Sequence, residues 1–230
     1  MKKESFEILA SLFAVANAHN NPSEGGGTMN AKDVIDHLTR ITLIEMINEK
    51  VGKLNVWDFV DTDKTLLLNH LYHKDGFLLA SNRRLLLRVK REYPENLEGK
   101  GIFKDGTIAT TSIPSRLFDT LIINERYHNA RGKVVKIDWA RFAEVEKECK
   151  AIRKMSRNTI RPVIGLDGGG AHFYYDEMAT AVAFMRDIGA DEISIIPNEG
   201  VGARITKDDS VCLLMPVTGD FRQMNSVIEM

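Results

Sequence analysis

Apolar residues return every three or four positions between Ala31 and Val51, at Val34, Leu38, Ile41, Ile44, Ile47 and Val51, and Gly52 follows them. That period puts them on one face of a helix, and the glycine suits the left-handed residue that closes many helices. Beyond it the pattern shortens. A strand is expected at Val56 to Val60, then three more in Thr65 to Tyr72, Gly76 to Ser81 and Leu85 to Arg91, with turns at Asp75-Gly76 and Asn82-Arg83-Arg84. Apolar runs of this length separated by such turn residues read as an antiparallel meander. Residues 94 to 112 are expected to hold a hairpin across Lys104-Asp105-Gly106, and Pro114 to Ile122 a short helix.

The polar stretch from Asn124 to Lys133 suits a boundary between two halves, after which a short strand is expected at Val134 to Ile137. Asp138 can cap a helix reaching about Ser156, whose buried stripe is Phe142, Val145, Cys149 and Ile152. Lys147, Lys150, Lys154 and Arg157 stand three, four and three apart, so on the same helix they form a second, exposed stripe of positive charge. Next come strands at Pro162 to Leu166 and Ala171 to Tyr175 around a turn at Asp167 to Gly170. A helix from Asp176 to Ile188 buries Met178, Ala181, Val182, Met185 and Ile188 and ends at Gly189. Strands at Glu192 to Ile196, Val201 to Thr206 and Ser210 to Val217 complete the pattern. A helix followed by a meander therefore occurs twice, at 31 to 91 and at 176 to 217, without residue-level identity between the two.

The residues of this second unit resemble a known family. Phe173 and Tyr175 leading into a helix, then Asp191-Glu-Ile-Ser-Ile195, Gly202-Ala-Arg-Ile-Thr206 and Leu213-Leu-Met-Pro-Val217, are similar to the last repeat of the bacterial DNA polymerase III beta sliding clamp, whose chains end on a Met-Pro strand. The early run Lys74-Asp-Gly-Phe-Leu-Leu-Ala-Ser-Asn-Arg-Arg-Leu-Leu-Leu-Arg-Val89 resembles the strand, aspartate-glycine turn and strand end that follow a helix in the same family. Together the two cover about half the chain.

The resemblance implies an α+β, DNA clamp-like fold, with repeated helix-plus-meander units, sheets outside and helices on one face. Residues 1–29 would be an N-terminal helix and Gly-rich linker, 30–131 and 132–217 two clamp-like domains, and 218–230 a C-terminal tail. It further implies that Lys147, Lys150, Lys154 and Arg157 touch duplex DNA through its phosphates. Met215, Pro216 and Val217 would contribute to a hydrophobic cleft for short peptides of polymerases or repair proteins. Bacterial clamps carry three such domains per chain, so a ring here calls for a homo-oligomer. The same residues also admit a solvated helix face, balanced by Glu144, Glu146 and Glu148, and a buried closing strand.

Composition changes this picture little. The 230 residues carry a net charge of -1, so attraction to nucleic acid must be local. Cys149 and Cys212 lack metal-type or disulfide-framework spacing and fit buried thiols in a reducing cytoplasm. No apolar run approaches the roughly 20 residues of a membrane span, and no membrane partner is expected. The start, Met1-Lys-Lys3 and Ile8 to Val15, then Ala16-Asn-Ala18, imitates an export signal, but Glu4 and Glu7 interrupt it, which favours a short amphipathic helix. Residues 20 to 28, Asn-Asn-Pro-Ser-Glu-Gly-Gly-Gly-Thr, read as a flexible linker.

Catalytic chemistry is not signalled. Asp167-Gly-Gly-Gly170 lacks the Lys and Ser or Thr of a phosphate loop, and Ser81, Thr110, Thr111 and Ser112 lack a nucleophile signature. His70 and His73 have no acidic or cysteine partner at metal spacing, and neither a cofactor nor a metal is expected. The expectation is a non-enzymatic, sliding-clamp-like processivity factor in the cytoplasm. Its rivals are a clamp-fold scaffold without DNA binding, and an enzyme or exported ligand-binding protein whose site is assembled from loops.

Overall fold

The computed structural model describes residues 31–50, 55–63, 68–90, 97–112, 132–166, 171–196, 202–217 and 227–229. The chain divides into two compact units, residues 1–47 and 48–230. Helix α1, Ala31–Lys50, belongs mainly to the first and carries Asp33 in its first turn, where the positive end of the helix dipole favours an acid. Of its expected stripe, Val34, Leu38 and Ile44 are half-buried while Ile41 is exposed. The expected N-terminal helix, the linker and the helix at 114 to 122 lie outside the described residues.

In the second unit the chain first makes a 3-10 turn at Val56–Phe59, where a strand was expected. Asn55 is the cause: its side chain accepts from the Trp57 N–H at 3.3 Å and donates to Asp58 at 2.9 Å. Such local side-chain bonds compete with extended pairing. Five strands follow: β1 Leu71–Lys74, β2 Phe77–Ser81, β3 Leu85–Lys90, β4 Lys100–Ile102 and β5 Ile108–Ser112. The turn between β1 and β2 holds Asp75 and Gly76 at φ 52° and 77°, the paired left-handed conformation of a tight hairpin, and Gly106 at φ 78° closes the hairpin between β4 and β5. β1 starts six residues later than the pattern predicted. Residues 65–67 of the expected strand lie outside the described residues, and Leu68 is held ahead of the ladder by its carbonyl, which accepts from the Asp61 N–H.

After β6, Lys133–Lys136, Asp138 caps α2, Trp139–Met155, by accepting from the N–H groups of Ala140 and Arg141. β7, Val163–Leu166, pairs antiparallel with β8, Ala171–Tyr174, setting Leu166 opposite Ala171 on either side of the expected turn at 167–170, which is outside the described residues. Helix α3, Tyr175–Ile188, ends on Gly189 at φ 67°. The chain closes with β9 Glu192–Ile196, β10 Gly202–Lys207, β11 Ser210–Leu214 and β12 Val227–Glu229. The last strand of the meander stops at Leu214 rather than Val217, because Pro216 has no N–H to continue the ladder.

Nine strands form one antiparallel sheet in the order β5-β4-β1-β2-β3-β11-β10-β9-β6, and β12-β7-β8 form a second, with β12 parallel to β7. The architecture is therefore mixed α+β, dominated by a large antiparallel sheet. Each meander keeps its sequence order, and the two meet where β3 pairs with β11, Leu87 opposite Cys212. One sheet thus spans both expected domains.

Register explains the core. Ala80, Leu87, Cys212 and Ile205 lie in one row across four strands and are all fully buried. Helix α3 covers this region, contributing Met178, Ala181, Val182, Phe184 and Met185. Phe184 meets Phe59 of the 3-10 turn edge to face at 6.3 Å. On the opposite face Tyr72, Leu79, Leu86, Ile196, Val211 and Leu213 form a second apolar cluster, with Phe77 against it and the Arg88 guanidinium 4.6 Å from the Phe77 ring. The middle of the sheet is buried on both sides, so its central strands read as unbroken apolar runs instead of alternating ones. Among the described residues no helix is long and apolar enough to cross a membrane.

Candidate functional site

A cleft of about 930 Å³ opens where the 3-10 turn, the β2–β3 turn, the start of α3 and the segment after β11 converge. Its β2–β3 wall is built by Asn82, whose side-chain oxygen accepts from the N–H groups of Arg84 (3.1 Å) and Leu85 (2.8 Å). That local loop holds Arg83 in the left-handed region, φ 73°, and sends its side chain to Asp61, Nε donating to Oδ2 at 2.7 Å. Asp61 is buried, and its second oxygen accepts from the Asp63 N–H. The Asn82 amide also donates to the Asp58 carbonyl, tying the turn to the 3-10 segment that supplies Trp57.

Met215 and Pro216 form another wall. The Met215 N–H donates to the Arg84 carbonyl and the Val217 N–H to the His172 carbonyl, both at 2.8 Å, so this tripeptide bridges the end of the large sheet and the small one. Of the three residues expected at a peptide cleft, Met215 and Pro216 line it and Val217 does not. Nor is the cleft simply hydrophobic, as expected. Arg83, Arg84, Arg161, Asp58, Asp61, Asp176 and Glu177 share the lining with Trp57, Val60, Leu85 and the Met-Pro pair.

The charged side centres on Tyr174. The Arg84 and Arg161 guanidiniums lie 4.7 and 4.1 Å from its ring centre, in cation–π contact. Arg161 donates from Nη2 to both oxygens of Glu177 at 2.8 and 3.0 Å, and Arg84 stands 4.0 Å from the same carboxylate. Asp176 is held chiefly by Arg153 of α2. Sequence reasoning placed Arg84 only in a turn and singled out neither Arg161 nor Glu177. No local motif marks them, since they meet across segments far apart in the chain.

The basic stripe stands on α2, elsewhere on the unit. Lys147, Lys150 and Lys154 are exposed, as the helical spacing predicts. Arg157 is a correction: the helix stops at Met155, and Arg157 follows in the turn with φ 53°, beyond the stripe. Acidic neighbours engage part of this surface. Lys150 donates to Glu146 at 2.8 Å and Arg141 bridges Glu144 and Glu148. The Lys150 ammonium holds the Glu146 carboxyl below the ordinary glutamate value, against the opposing pull of partial burial.

His73 meets a carboxylate from a distant segment: its Nδ1 lies 3.2 Å from Glu98, which also accepts from the Asp75 N–H. His70 instead packs its ring 4.0 Å from that of Phe103. Among the described residues no group of three or more His, Cys, Asp or Glu is arranged to hold a metal ion. Both cysteines are buried thiols; burial pushes Cys149 up to about 12 and Cys212 higher still. Comparison with protein-family models, with curated proteins and with solved structures returns no match.

Proposed function

We propose that this chain is a non-enzymatic accessory factor of the sliding-clamp type, working in the cytoplasm as a homo-oligomer. It docks short peptides of replication or repair proteins in the cleft beside Met215 and Pro216 and touches duplex DNA phosphates through Lys147, Lys150 and Lys154. The observation that carries this reading is the position of Met215 and Pro216. Both line a cavity of about 930 Å³, a size that suits a few side chains of a partner, next to the apolar Trp57, Val60 and Leu85. Two meanders side by side in one sheet, the second following a helix packed on that sheet, are compatible with repeated helix-plus-meander units.

A second reading, a peptide-binding scaffold without DNA contact, is favoured by the pairing of Lys150 with Glu146 and of Arg141 with Glu144 and Glu148. Salt-dependent binding to a labelled duplex separates the two. A clamp-type factor loses affinity steeply with salt, by about 0.9 in log–log slope per phosphate contact. Changing Lys147, Lys150 and Lys154 together to glutamate then abolishes binding. No affinity at low salt leaves the scaffold. A strictly monomeric mass by sedimentation rules out a stable ring of free copies.

A further inference from the structure

Charge in the cleft is unevenly settled. Asp61 takes Arg83, Asp58 accepts from the neutral Asn55 amide, and Asp176 takes Arg153 as its nearest partner, with Arg161 at 3.7 Å. Glu177 is left facing two guanidiniums, Arg161 in hydrogen-bond contact and Arg84 at 4.0 Å, beyond hydrogen-bonding distance. The Glu177 side chain is only 12% exposed, whereas those of Arg84 and Arg161 are 40% and 44% exposed, and both arginines line the cleft. The two arginines come from different segments, one in the β2–β3 turn and one ahead of β7, yet both are fixed on the Tyr174 ring. Stacking of this kind limits side-chain motion before any ligand arrives, so less rotamer entropy is lost when N–H donors meet an acceptor.

From this we infer that the peptide docked here presents an aspartate or glutamate side chain to Arg84 and Arg161, with apolar side chains against Trp57, Met215 and Pro216. The inference rests on the peptide-docking reading above and names the chemistry of its ligand. A planar carboxylate fits the fork of a guanidinium, and two guanidiniums stand beside the same ring and the same glutamate. A lysine-bearing peptide would meet like charge beside Tyr174, and an all-apolar one would cover the two guanidiniums without adding an acceptor to the one they share, Glu177. Glu177 acts as the local counter-charge that keeps the pair together in the empty cleft.

The test uses the whole chain, immobilised, and a library of random heptapeptides flanked by linker at both ends, so that terminal carboxylates play no part. Selected sequences are expected to pair apolar residues with one aspartate or glutamate. Replacing that acid in the best binder by its amide is expected to weaken binding about tenfold, the loss of one charge-assisted contact. Arg84→Gln and Arg161→Gln, checked for unchanged near-UV circular dichroism, are expected to erase the preference between acid and amide while apolar enrichment persists. If either arginine variant fails to fold, the acid-to-amide comparison on the unaltered chain still decides. Selected peptides that are apolar without an acid, and that Met215→Ala releases, overturn the carboxylate inference and leave the docking reading standing. Enrichment of no sequence at all overturns both.

Discussion

The Met215 N–H donates to the Arg84 carbonyl oxygen at 2.8 Å, which places the Met-Pro segment and an arginine of the cleft on one hydrogen bond. Movement of either is therefore felt by the other. The apolar wall and the cationic wall of the cleft are linked by this contact between the end of the large sheet and the turn entering β3.

Gly202 tests that coupling. It sits at φ 65°, and a methyl group there would stand 2.5 Å from the Leu214 carbonyl oxygen and 2.6 Å from Pro216 Cδ. Gly202→Ala should cost roughly 1–3 kcal/mol from the left-handed backbone and the crowding together. It should also weaken peptide binding by more than the fraction unfolded explains. Urea titration beside a binding isotherm measures both, and a variant of normal stability and affinity would show that Pro216 is not seated by this close approach.

Acid should weaken the surface of α2 in a defined direction. Glu146 has a folded-state value below its ordinary one, so its contribution is complete above about pH 4.3 and disappears as pH falls through the folded value. The residue is partly exposed, which limits the effect to a few tenths of a kcal/mol. Glu146→Gln should lower stability slightly at pH 7, and the deficit should shrink progressively as pH is taken below about 4.3, as followed by urea unfolding. A deficit that does not shrink with falling pH would point to packing against Tyr175, whose hydroxyl lies 3.4 Å from the carboxylate, instead of charge.

The two thiols should be inert in the folded protein. Burial pushes Cys149 up to about 12, so at pH 8 only about one molecule in ten thousand carries its thiolate. Cys212 lies fully buried between β3 and β10. A thiol-specific chromogenic reagent should register neither until denaturant is added. Prompt reaction of one thiol would mean that the helix or the sheet around it opens locally far below the global transition.

Much of the fold was legible where the physics is local. The Asp75-Gly76 and Lys104 to Gly106 turns, the Asp138 cap and the Gly189 stop each depend on a few adjacent residues, and each stands where the pattern put it. Val56 to Val60 misled because its β-branched and aromatic residues read as a strand, while the deciding atom was the Asn55 side-chain oxygen just before them. The Met-Pro segment was visible only through a resemblance. Arg84 and Arg161 were not visible at all, since what distinguishes them is a shared aromatic ring reached from two distant segments.

The junction of β3 with β11 also sets an order of events during synthesis. Lys90 and Asp209, paired at its rim, are 119 positions apart. Until the ribosome has released the strand from Ser210 to Leu214, the backbone edge of Leu85 to Lys90 has no mate, and its run of leucines offers an apolar ribbon to any chain nearby. Throughout the interval between synthesis of Lys90 and of Ser210 the nascent chain thus carries an open template at the middle of the future sheet. A holding chaperone, or a slow codon placed after residue 214, would act on this window.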